Sequence, residues 1–182
     1  MKTAACYIRF ALLVGLTAAT RALFAAETKP VDGRITVIFS HPEEYTDIRD
    51  NQSDFDNERG RERYLPFIQE YLEQEAGRRL PAGQKLTVTF SDIDLAGDFE
   101  PWHGVQFSDI RIIKDLYIPR LTFTFKITDE NGVVLREGER KLVELAYQMR
   151  ITTGFRDDQL RYEKGMLSDW LRDELKPAKK KS

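Results

Sequence analysis

The chain has 182 residues, one cysteine and two histidines, with 28 basic against 30 acidic residues and a formal net charge of −2. This balance argues against a nucleic-acid binder, whose affinity comes from clustered cations neutralising phosphates. The single thiol, Cys6, excludes an intrachain disulfide and a cysteine-built zinc site.

Residues 1–26 read as a cleavable signal peptide. Lys2 and Arg9 form a basic start, the apolar run 10–19 is too short to span a hydrocarbon core of ~30 Å, and small residues place cleavage near Ala22 to Ala26. Cys6 precedes that run, so it is not the lipidated cysteine of a bacterial lipoprotein. Removal of Lys2, Arg9 and Arg21 leaves roughly five net negative charges. No later stretch is apolar enough to cross a membrane, so no stable insertion is expected after signal removal. Residues 27–33 form a linker, 34–175 a single domain long enough for a real core, and 176–182 a basic, disordered tail. The expected location is the periplasm.

Within the domain, 34–40 is rich in β-branched residues and predicts a strand, ended by His41-Pro42. The polar stretch 43–60 predicts a long surface loop. A helix follows over 63–79, with Leu65, Ile68, Leu72 and Ala76 on one stripe and its regular part starting just before Pro66. Leu80-Pro81-Ala82-Gly83 stops it, and 85–90 alternates as a strand with Leu86, Val88 and Phe90 on one face. The run 109–119 is either an edge strand or an irregular bridge. Residues 121–128 alternate most clearly, with Leu121, Phe123, Phe125 and Ile127 inward. Asn131-Gly132 predicts a type I′ hairpin turn, and the returning strand over 133–142 loses its phase near Gly138, which predicts a bulge. Residues 142–150 suit a strand or a short helix, 151–161 a loop, and 162–175 a helix burying Met166, Leu167, Trp170, Leu171 and Leu175. The sum is an α+β, two-layer fold in β-α-β-β-β-α order, a mixed sheet of about four strands with two helices on one face.

Five strings in fixed order add a resemblance: Leu80-Pro81-Ala82-Gly83, then 92–97, then Phe99-Glu100-Pro101-Trp102, then Pro119-Arg120 entering a strand, then Tyr162-Glu163-Lys164 with Asp169-Trp170-Leu171. Together they resemble a bacterial exported family catalogued as domain of unknown function 3016, over about 34–175. The resemblance implies a signal-bearing, periplasmic protein of Gram-negative bacteria and carries no catalytic residue over to this chain. The string from Phe125 to Leu135 also looks similar to small envelope assembly proteins, a likeness of fold alone.

The richest candidate segment is 91–103, where Asp92, Asp94, Asp98, Glu100 and His103 gather ligand-type side chains. As a calcium loop it fails at Ala96 and His103, so no metal is assigned, and no cofactor is implied. Asp92 and Asp94 continue the phase of Leu86, Val88 and Phe90, which points them toward the core layer. There they need cations, and Arg111, Lys114 and Arg120 are the candidate partners for an internal salt bridge. A ligand-binding use of Asp92, Asp94, Arg111 and Arg120 is the competing reading. Phe99, Trp102 and Phe107 in the following loop form either an exposed recognition patch or a cluster buried under the sheet edge.

No Gly-x-Ser-x-Gly or His-Glu-x-x-His string occurs, and no catalytic residue is assigned. The expected role is a periplasmic binding or envelope-accessory module whose partner is an envelope protein or ligand. The alternative is a periplasmic hydrolase acting on cell-wall or glycan material through carboxylates drawn from Asp92, Asp94, Glu100 and Glu163.

Overall fold

The computed structural model describes residues 33–149 and 157–176. The expected signal peptide, most of the linker, the loop over 151–156 and nearly all of the basic tail lie outside them. The elements are β1 (Ile35–Phe39), α1 (Glu58–Arg79), β2 (Lys85–Asp94), β3 (Arg120–Thr128), β4 (Val134–Val143) and α2 (Arg161–Glu174). The sheet runs β1-β2-β3-β4, with β1 parallel to β2 and the other pairs antiparallel. The α+β, two-layer expectation therefore holds. No described helix is long and apolar enough to cross a membrane.

Four rows of side chains cross the sheet on its inner face. Ile35, Leu86 and Ile127 share one row; Val37, Val88 and Phe125 the next; Phe39, Phe90 and Phe123 a third. Both helices cover this face. Leu65, Ile68 and Leu72 of α1 and Met166, Leu167 and Leu171 of α2 join the same buried core, and Trp170 meets Phe123 and Phe125 edge-on at 4.7 and 5.6 Å. Threonines 87, 89, 122 and 124 line the opposite face.

A bulge at Ser91 breaks the alternation of β2, because Phe90 pairs with Phe123 but Asp92 already pairs with Thr122. The extra residue reverses the pleat. Ile93, not Asp92 or Asp94, is the residue turned inward, and it completes the fourth row with Leu121 and Leu142. The expected core-facing orientation of the two aspartates is thereby corrected.

Further local differences have equally local causes. Helix α1 begins at Glu58, five residues before the expected start, and carries Pro66 inside it. Pro66 lies on the exposed side, as does Glu62, whose carbonyl its missing N–H leaves without a helical partner. The expected surface loop over 43–60 is packed inward, with Tyr45, Asp47, Ile48, Asn51, Asp54 and Asn57 buried. Its polar side chains satisfy backbone rather than water. The Asp54 carboxylate accepts the N–H groups of Asp50, Arg59 and Gly60, while Asn57 accepts from Ile48 N–H and donates to the Tyr45 carbonyl.

In the hairpin, Gly132 has φ 82° while Asn131 keeps negative φ. Gly132 N–H donates to the Asp129 carbonyl and Asp129 N–H to that of Val133, as a right-handed turn closed by a left-handed glycine requires, in place of the type I′ turn. The bulge of β4 falls at Leu135, opposite the Ile127–Thr128 step, and Gly138 stays in register opposite Phe125. Past Val143 the chain leaves the strand and makes a 3₁₀ turn over Tyr147–Met149, whose buried Tyr147 packs edge-on against Tyr162 at 4.7 Å. Residues 109–119 form an irregular bridge in which Ile112 pairs with Asp98.

Gly60 locks the inward loop to α1. A Cβ there would stand 1.5 Å from the Ile48 carbonyl oxygen. Gly60→Ala is expected to cost more than about 3 kcal/mol despite its favourable helix propensity, read as a fall in the denaturation midpoint.

Candidate functional site

Parallel pairing brings the C-terminal ends of β1 and β2 to one end of the sheet, beside the start of β3. The two long connections, 40–57 and 95–119, gather there. Asp47 joins them through the backbone: its N–H donates to the Ile93 carbonyl at 3.1 Å, and its own carbonyl accepts from Leu95 N–H at 2.8 Å. The buried Asp47 carboxylate then accepts from both guanidiniums near it. Arg111 donates through Nη1 and Nη2 at 3.0 and 3.2 Å, and Arg49 through Nε and Nη2 at 3.1 and 3.3 Å.

Arg111 also donates to the carbonyls of Gly97 and Arg49, both at 2.7 Å, and lies over the Phe99 ring at 4.7 Å. Arg49 closes the network onto Asp98. Burial pushes the Asp47 carboxyl pKa up, but the hydrogen bonds from Arg111 and Arg49 and the charge of Arg111 outweigh it, leaving the group below the ordinary aspartate value.

The anticipated partners are thus rearranged. Arg120 pairs with Asp94 at 2.7 Å, whereas Arg111 goes to Asp47 and Lys114 to Glu100. Among the described residues no cation pairs with Asp92; it accepts from the N–H and hydroxyl of Thr46 at 2.8 and 2.9 Å. Burial raises the Asp94 pKa in spite of Arg120, and the nearby Asp47 and Asp92 carboxylates add to the rise.

The aromatic loop divides in two. Phe99 is only 5% exposed beneath Arg111, whereas Trp102 is 70% exposed, and it and the exposed Phe107 each lie against the His103 ring. Val105, Ile110 and Leu116 project from the same segment. What holds this segment is Glu100. Its carboxylate accepts from Lys114 Nζ at 2.6 and 2.7 Å and from Tyr117 Oη at 2.8 Å, and meets His103 Nε2 at 2.6 Å. One buried carboxylate therefore clamps the start of the 100–117 loop to its end. Hydrogen bonding to Lys114, then to Tyr117 and His103, pulls its pKa down to about 2 against the desolvation that opposes it.

Glu163 sits in the first turn of α2. It is 1% exposed; one oxygen accepts Ala96 N–H at 2.7 Å across from α2, and the other has no hydrogen-bond partner among the described residues. Burial pushes its pKa up. Asp47, Arg49 and Tyr117 are the site residues that motif reading did not single out. The signal available for Asp47 was Tyr45 and Ile48, two apolar residues inside a stretch otherwise read as solvated.

The fold and this end of it define a small α+β protein with an ion-paired loop platform carrying exposed aromatic and aliphatic side chains. The chain belongs to the family described as Protein of unknown function (DUF3016), whose model matches residues 33–173. No curated protein and no solved structure matches it.

Burial separates the two ion pairs by consequence. Asp47→Ala leaves Arg49 and Arg111 facing each other, 24% and 15% exposed, and is expected to cost about 3 kcal/mol. Asp94→Ala releases an Arg120 that is 43% exposed and costs at most about 1 kcal/mol. Urea melts of the two variants check the ranking; equal losses would refute it. The Glu100 clamp sets a pH window. Its folded pKa lies below the ordinary 4.5, so its contribution is complete above that value and is lost as pH falls from 4.5 through about 2. A carboxyl NMR titration of Glu100 is expected to show its midpoint near 2; a midpoint at 4.5 would mean the clamp does not form.

Proposed function

We propose that the protein is an exported periplasmic binding module that serves the cell envelope, and that it engages its partner through the 101–116 loop. The observation that carries this reading is the exposure of Trp102, Val105, Phe107 and Leu116 on a segment whose two ends are clamped by Glu100. Apolar side chains presented on a pre-ordered loop lose little entropy on binding, and such anchors dominate recognition surfaces. The basic start and short apolar run at the N-terminus support export.

No observation favours the hydrolase alternative. Asp92 and Asp94 are engaged by Thr46 and Arg120, Glu100 by three donors, and Glu163 is sealed beneath Ala96. None of the four lines the open cleft of about 1000 Å³ between α1 and α2 or the adjoining pocket of about 390 Å³.

The test is crosslinking capture from intact periplasm with a Trp102→Ala, Phe107→Ala variant. Both side chains are exposed, so the thermal midpoint is expected to stay within a degree or two of the parent while capture of the partner falls at least tenfold. Undiminished capture would remove the loop from the function, and absence of the chain from the periplasmic fraction would remove the export reading.

A further inference from the structure

β4 closes the sheet on one side, and among the described residues no strand pairs with its outer edge. The outward-facing main-chain groups of such an edge are a template for another strand. The inner face of β4 is already committed: Arg136 and Arg140 both hold Glu174 at the end of α2, Arg140 lies over Phe125 at 4.8 Å, and Leu142 packs on the core. The outer face carries Glu137, Glu139 and Lys141, opposite Lys126, Thr124 and Thr122 of β3, with Val143 at its C-terminal end. All four are exposed.

The three charged residues are arranged so that the strand complements itself. We propose that β4 is a homodimer edge, pairing antiparallel with β4 of a second copy about a two-fold axis at Glu139. In an antiparallel pair, residues directly opposite share a face, so the register is determined by one opposition. With Glu139 facing its counterpart, Glu137 faces Lys141 of the second copy, and this pair occurs twice. Opposite charges therefore meet at two of the three charged outer-face positions. The central like-charged pair has Lys141 of the second copy on one diagonal and Glu137 on the other. Against an unrelated strand the same alternation of charges is a mismatch, so the edge that accepts its own copy rejects others. The pairing is independent of the 101–116 platform.

The test is sedimentation equilibrium of the full chain as the expressing cell yields it, with Glu137→Lys, Lys141→Glu and Glu139→Gln variants. All three side chains are exposed and their substitution leaves the core untouched. The parent is expected to dimerise reversibly. Lys141→Glu places four acids in two facing pairs and Glu137→Lys places four bases, so each raises the dimer dissociation constant at least about tenfold. An equimolar mixture of the two variants restores opposite charges at both positions and is expected to dimerise as the parent does. Glu139→Gln removes the central repulsion and tightens the dimer, whereas in a register shifted to oppose Glu139 with Lys141 it would loosen it. A monomeric parent, a dimer indifferent to both charge reversals, or a mixture no tighter than its components would overturn the proposal.

Discussion

A buried carboxylate between two guanidiniums organises the loop end of this domain. Asp47 has lost most of its water, and an unpaired charge there would be untenable. Arg49 and Arg111 restore what burial removes, and in doing so they determine where two connections of the chain must lie. Arg111 is drawn from the second connection onto the first; it crosses the Phe99 ring and takes up the carbonyls of Gly97 and Arg49 on the way. Gly97, at φ 81° and with a Cβ position 2.7 Å from the Ile112 carbonyl oxygen, allows the chain to turn tightly enough for this approach. The platform beyond Phe99 is built on that base.

The regular elements were legible because their burial follows one period. In β3 every second residue from Leu121 to Ile127 is inward, and in α2 the stripe from Met166 to Leu171 is uninterrupted, so pattern and packing agree. Reading went astray where one residue changes the phase or where polar side chains serve the backbone. Ser91 is one ordinary residue in β2, yet it reverses the direction of Asp92, Ile93 and Asp94. Nothing in the local alphabet marks it, since the bulge is set by Ile93 needing to meet Leu121 and Leu142. In 43–57, Asp54 and Asn57 have the composition of a solvated loop, but each replaces water with backbone groups, and only the three-dimensional path reveals it.

Candidate-site reading divided along the same line. Arg120 opposite Asp94 follows from strand pairing, and its partial exposure makes it a surface-type bridge. The partners of Arg111 and Lys114 depend on how an irregular connection folds back. Phe99 and Trp102 are three residues apart yet lie on opposite sides of the same loop, because the Glu100 carboxylate between them turns inward to Lys114 and Tyr117. A single acidic residue thus separates the aromatic that supports the platform from the one it presents.

The platform and the β4 edge are related by the direction of the strands. β4 ends at Val143, opposite Arg120 where β3 begins, so the C-terminal end of β4 lies toward the loop end of the sheet. Antiparallel pairing of two β4 edges makes one eight-stranded sheet in which the two loop ends point in opposite directions along the strands. Each copy then keeps its Trp102 surface clear of the other, and the dimer offers two equivalent contacts facing apart. Such an arrangement gives no added affinity for one compact partner, which can reach only one platform. It strengthens binding where partner sites are separated by the length of the joined sheet or repeated on an extended assembly, because the second contact then becomes intramolecular.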